Sequence, residues 1–105
     1  MIPILSFVQE GQIAPSMIEV LEKGLGDICH SAFGSASHVH WVEVQSGNGF
    51  SGAKPSRASL VRIQSNRNLP QDERVEIMKQ VCDFWMENTG CSINEIVAAV
   101  GDPIN

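Results

Sequence analysis

One succession of elements is written twice along this chain, and that repetition limits the fold more than any single motif. An apolar run, a connector with a proline, an amphipathic stretch, a glycine and a second apolar run fill residues 1–46. The pattern returns over residues 57–105, with Pro70 in the place of Pro15 and Gly90 in the place of Gly34. Internal duplication within a single domain is the simplest account, the two units being joined by a glycine-rich loop over 46–56. Each unit reads as strand, helix, strand, whose two strands run parallel through a right-handed crossover. Two such units give an α/β (α+β) fold, a four-stranded sheet with both helices on one face. Its other face is left bare although its strands are apolar, so an oligomer is expected.

The first run, Met1-Ile2-Pro3-Ile4-Leu5-Ser6-Phe7-Val8-Gln9, is nearly continuous in apolar residues, as a strand covered on both faces is. Pro15 then opens a helix, a position where its missing N–H costs nothing. Met17, Val20, Leu21, Leu25, Ile28, Cys29 and Ala32 recur three and four apart and predict a buried face that Gly34 ends. Gly24 and Gly26 weaken this helix and predict a close approach by another backbone. Residues 38–45 form a branched and aromatic strand, and 58–64 another. A second helix follows Pro70, with Asp72 and Glu73 at its positive end and Val75, Met78, Val81, Cys82 and Trp85 as its stripe. Ser92–Glu95 reads as a turn, and the wholly apolar Ile96–Val100 as the last strand.

Bulk properties exclude several functions. With 105 residues, 43% hydrophobic and 18% charged, the chain has room for one modest core. A net charge of −5 with only seven Lys and Arg leaves no basic stripe for nucleic acid and no attraction to an anionic membrane. No apolar run approaches the roughly 20 residues of a spanning helix, and the N-terminus lacks the pattern of a secretory signal. Cys29, Cys82 and Cys91 are odd in number and match no zinc spacing. They read as reduced thiols, two of them in helix cores, of a cytoplasmic protein.

Three features could carry chemistry. His38 and His40 alternate onto one face of their strand. They could begin a metal site with a cysteine, yet no third ligand is evident, and structural or solvated histidines are the simpler reading. The stretch Ser46–Pro55 lacks the Gly-Lys-Ser/Thr ending of a phosphate cradle, which leaves a connector or a site-lining loop. Pro3 is either a strand-start proline or a proline whose nitrogen does chemistry.

The second reading of Pro3 gains from a resemblance. Pro3-Ile4-Leu5, Pro15-Ser16, His30 late in the first helix, Gly47-Asn48-Gly49-Phe50-Ser51-Gly52 and Ser65-Asn66-Arg67 follow one another as in the tautomerase superfamily. That superfamily includes macrophage migration inhibitory factor and 4-oxalocrotonate tautomerase. The chain is most similar to its cis-3-chloroacrylic acid dehalogenase and malonate semialdehyde decarboxylase branches, over nearly the full length. The resemblance implies a homotrimer without cofactor or metal. It implies a small carboxylate substrate held by Arg67 and His30, and a proline amine as acid or base. A free amine passes protons near neutral pH, whereas an amide nitrogen does not. Here Met1 and Ile2 precede Pro3, so Pro3 serves only if it is made N-terminal. The Met1 α-amine is the alternative, two residues out of place. The family's second arginine falls at Leu69 and its tyrosine near Ala99. Two functions follow: a tautomerase acting on a small 2-oxo acid or unsaturated carboxylic acid, or a non-catalytic trimer that binds a small anion or a protein partner.

Overall fold

The computed structural model describes residues 1–45, 50–51, 54–55 and 58–103. Its elements in order are β1 (Ile2–Gln9), α1 (Pro15–Phe33), β2 (Ser37–Val44), a two-stranded ribbon β3 (Phe50–Ser51) and β4 (Lys54–Pro55), β5 (Ser59–Gln64), α2 (Gln71–Thr89) and β6 (Ile96–Gly101). The main sheet has the order β2-β1-β5-β6. β1 runs parallel to β2, and β5 parallel to β6. β1 and β5 meet antiparallel at the centre, Ile4 opposite Ile63 and Phe7 opposite Leu60. The sheet is therefore two parallel βαβ units joined back to back. Most of the residues of the glycine-rich loop lie outside the described set.

Chain chemistry sets the helix limits. Pro15 occupies the first turn of α1. The helix closes on Gly34, whose φ of 65° suits a residue without Cβ and whose N–H returns to the His30 carbonyl. Gly90 closes α2 in the same way, at φ 75° and onto the Met86 carbonyl. The expected turn at Ser92–Glu95 is a single 3₁₀ turn at Ile93–Glu95 with a reciprocal capping box between Ser92 and Glu95.

The core lies between the helices and one face of the sheet. Leu21, Leu25, Cys29 and Phe33 form a stripe at intervals of four on α1, and Ile77, Val81 and Trp85 do so on α2. Ile2, Ile4 and Val8 of β1, Val61 and Ile63 of β5, and Ile96 and Val100 of β6 meet them. Trp41 stacks on the fully buried Trp85 at 6.0 Å between ring centroids. Two stripe residues expected from periodicity, Val20 and Val75, are exposed, and Ile77 is buried instead. Val75 precedes Ile77 by two positions, about 200° around the helix, so both cannot face the sheet. At Gly24 the close approach comes from the Phe84 ring of α2 rather than from backbone, and Gly26 meets only the Ser37 hydroxyl at ordinary contact distance.

The other sheet face carries no helix. Alternation along the strands brings Pro3, Leu5 and Phe7 of β1, His38, His40 and Val42 of β2, Leu60, Arg62 and Gln64 of β5, and Val97 and Ala99 of β6 to it. All are exposed or half-buried. No helix among the described residues is long and apolar enough to cross a membrane.

Candidate active site

Pro3 stands on that open face as the second residue of β1, in register with His38. Its nitrogen is acylated by Ile2, whose side chain is 1% exposed within the core. The Ile2 N–H donates to the Ala36 carbonyl at 2.7 Å. Ile2 is thus a structural residue of the sheet. Met1, one position earlier, is 80% exposed.

A pocket of about 270 Å³ opens beside Pro3, lined by Pro3, Ile4, Leu5, His40, Arg62 and Gln64. Its floor is apolar and its walls are polar. Leu5 pairs with His40 on one side and with Arg62 on the other, so the three form one row across β2, β1 and β5. Arg62 has no ion-pair partner among the described residues. Gln64 donates its amide N–H to the Gly101 carbonyl at 3.4 Å and to the Asp102 carbonyl, which fixes its side chain at the end of β6. A Cβ on Gly101 would lie 3.6 Å from an Arg62 guanidinium nitrogen, an ordinary contact distance, so the Arg62 side chain reaches the end of β6.

Arg67 has a different setting. Its two terminal nitrogens fork onto the Glu73 carboxylate, one of them also donating to the Ala32 carbonyl at 3.0 Å. Its guanidinium carbon lies 6.0 Å from the Phe33 ring centroid. Pairing with Arg67 holds the Glu73 carboxyl below the usual carboxylate range. Donating these hydrogen bonds to Glu73 raises the Arg67 guanidinium above its ordinary value. Asn66 donates to the Phe33 carbonyl at 3.2 Å, so Asn66 and Arg67 together bind the free carbonyls at the end of α1. His30 is exposed in the last turn of α1. Neither Arg67 nor His30 lines the Pro3 pocket, although both stand at the end of the molecule where β1 begins.

Asp102 pairs with Arg74 at 2.7 Å and accepts the Leu69 N–H at 3.1 Å, and these contacts hold its carboxyl low. Leu69, where the family's second arginine would fall, is buried. Ala99 is the β6 partner of Arg62 on the open face. His38 and His40 meet edge to face with ring centroids 4.5 Å apart. No group of three His, Cys, Asp or Glu poised for a metal occurs among the described residues. Cys29, Cys82 and Cys91 are free thiols. Gln64 was not legible as a site residue from sequence. Its only signal was the interval of two from Arg62, which puts both on one face.

No family model and no curated protein matches the sequence. Solved structures do. The crystal structure of native Ps01740 superposes with a TM-score of 0.89 at 24% identity, over 96% of this chain and 94% of that one. N1, a member of the cis-3-chloroacrylic acid dehalogenase family, gives 0.85 at 9% identity, over 96% and 75%. The symmetric trimer of wild-type fused 4-OT gives 0.84 at 12% identity, over 96% and 85%. The chain has the tautomerase-superfamily fold. The Pro3 pocket lies at the start of β1 in this fold.

Proposed function

We propose that this protein is a tautomerase-type isomerase that moves a proton between carbon and oxygen of a small 2-oxo acid or unsaturated carboxylic acid. The observation that carries this reading is the pocket itself, where a guanidinium without a described carboxylate partner faces an apolar floor at the start of β1. Arg62 binds the substrate carboxylate through two parallel N–H bonds. Pro3 and Leu5 accommodate the carbon skeleton. Arg67 and His30 are the other candidate carboxylate contacts, at the same end of the sheet, with Arg67 shared between substrate and Glu73. The proton carrier is a nitrogen base: Pro3 if Met1 and Ile2 are removed, or else another group of the intact chain such as the Met1 α-amine. No cofactor enters this chemistry.

The active form in this reading is a homotrimer, supported by the uncovered apolar sheet face and by the trimer that fused 4-OT forms. Three free thiols suit a reducing compartment, the cytoplasm.

Ketonisation of the enol of phenylpyruvate tests the proposal. Turnover is expected, with KM raised in Arg62→Ala and lowered efficiency in Arg67→Ala and His30→Ala. Absence of turnover at any protein concentration sinks the isomerase reading. One observation favours a second function: Ile2 is locked into the core, which keeps Pro3 an amide. A non-catalytic anion binder would bind phenylpyruvate, lose that binding in Arg62→Ala, and never turn it over.

A further inference from the structure

With Ile2 packed in the core, the intact chain offers no proline amine, and the Met1 α-amine belongs to an exposed residue ahead of the strand. A nitrogen base nevertheless stands in the pocket wall. We propose that His40 is the proton carrier of this site, an inference that rests on the isomerase reading above.

The placement follows from strand register. His40, Leu5 and Arg62 occupy one row on the open face. Neighbouring strands lie about 4.8 Å apart, so the backbones bearing the imidazole and the guanidinium stand about 10 Å apart. Leu5 and Pro3 floor the gap. A 2-oxo acid whose carboxylate is bound by Arg62 extends across Leu5, and its second and third carbons then approach His40. The edge-to-face contact with His38 restricts the turning of the His40 ring. Among the described residues, the charged and titratable side chains at strand positions on this face are His38, His40 and Arg62, with the Met1 α-amine at the strand's start. Glu43 alternates onto the helix side, and Glu22 accepts the Trp41 indole N–H at 3.4 Å there. No carboxylate among them therefore competes with substrate for Arg62.

The step balances within the pocket. The neutral imidazole takes the hydroxyl proton of the enol, the O–H pair becomes part of the carbonyl, and the former C=C pair shifts onto the third carbon. The imidazolium then gives its proton to that carbon, which leaves the 2-oxo acid and a neutral imidazole. Imidazole suits the task because its two protonation states are both accessible near neutral pH.

Phenylpyruvate enol ketonisation tests the inference on four proteins: the intact chain, a chain whose α-amine is carried away on a retained N-terminal extension, His40→Ala and His40→Gln. The extended chain is expected to keep its turnover. Both His40 variants are expected to lose kcat by about a hundredfold or more, with KM little changed and the acid limb of the pH profile abolished. Wild-type kcat in His40→Ala, or an inactive extended chain, overturns the role of His40 while leaving the isomerase reading in place. An intact chain without turnover removes both. The His40 ring signals in an NMR titration with phenylpyruvate then decide the pocket separately: saturable shifts keep it as an anion site, and unmoved signals remove that too.

Discussion

Ile2 and Ala36 are joined by a 2.7 Å hydrogen bond from the Ile2 N–H to the Ala36 carbonyl, which ties the start of β1 to the residue before β2. Ile2 also contributes a fully buried side chain to the core. Together these make the residue ahead of Pro3 part of the fold. Truncating a buried Ile to Ala costs about 2–5 kcal/mol. Ile2→Ala is therefore expected to lose stability in that range by urea unfolding, and a chain beginning at Pro3 to lose at least as much. A chain beginning at Pro3 with undiminished stability would show that the core does not need Ile2, and would reopen the proline amine as the catalytic group.

Arg67 and Glu73 predict how stability depends on pH. The Glu73 carboxyl is lowered by its pairing with Arg67, and that of Asp102 by Arg74 and the Leu69 N–H. A carboxyl with a lower pKa in the folded state adds stability above its unfolded pKa, and that contribution is lost as pH falls through the folded value. The unfolding midpoint is expected to drop on acidification below about pH 4. In Glu73→Gln the drop should be shallower and the neutral-pH midpoint lower. Both pairs are partly exposed, so added salt shrinks the difference. An acid limb identical in wild type and Glu73→Gln would show that the pair contributes nothing.

Repetition and periodicity were enough to read the four strands of the main sheet, the two helices and the parallel pairing, because these depend on local pattern and on the handedness of crossovers. They did not give the β3–β4 ribbon. The site was less legible. Arg67 sits where the resemblance expects a carboxylate clamp, yet Glu73, six residues on, occupies its guanidinium. Sequence gives no rule for choosing between an internal carboxylate and a substrate carboxylate. Arg62 and His40 read most simply as solvated strand residues, because the register that aligns them through Leu5 depends on β1 lying between β2 and β5. That order is a long-range property, absent from any single segment. The same holds for Val75 and Ile77, where only packing chose which residue faces the sheet.

Gly24 gives a packing test that opposes helix propensity. Alanine is favoured over glycine within a helix by about 1 kcal/mol, but a Cβ at this position would clash with the Phe84 ring. Overpacking of this kind costs about 1–3 kcal/mol. Gly24→Ala is expected to destabilise the wild-type protein and to stabilise the Phe84→Ala variant. The sign reversal across that double-mutant cycle, read by urea unfolding, isolates the contact. Stabilisation in both backgrounds would mean that the ring moves aside at no cost.

Burial raises the Cys29 thiol to about 11, so at pH 8 it carries almost no thiolate, the form that reacts with alkylating agents. Iodoacetamide is expected to leave Cys29 unmodified in the native protein and to label it once urea unfolds the chain. Peptide mass analysis reads this directly. Labelling of Cys29 at the same rate with and without urea would contradict its place in the core.

The open sheet face makes the last prediction. Phe7, Val42, Leu60 and Val97 form a row on it beyond the Pro3 pocket without a covering helix, and Val97 is 52% exposed in the single chain. An apolar surface of this kind marks a contact between molecules. Val97 lies outside the residues that line the Pro3 pocket, so its replacement tests assembly without removing a pocket residue. An aspartate there costs little on a solvated face, since surface substitutions change stability by about 0.5 kcal/mol or less. Buried between copies, the same carboxylate would be desolvated without a partner and would drive the copies apart. Sedimentation equilibrium is expected to give an oligomer for the wild type and a single chain of 11.4 kDa for Val97→Asp. A monomeric wild type would show that this face is solvated, and an unchanged oligomer in the variant would place the contact elsewhere.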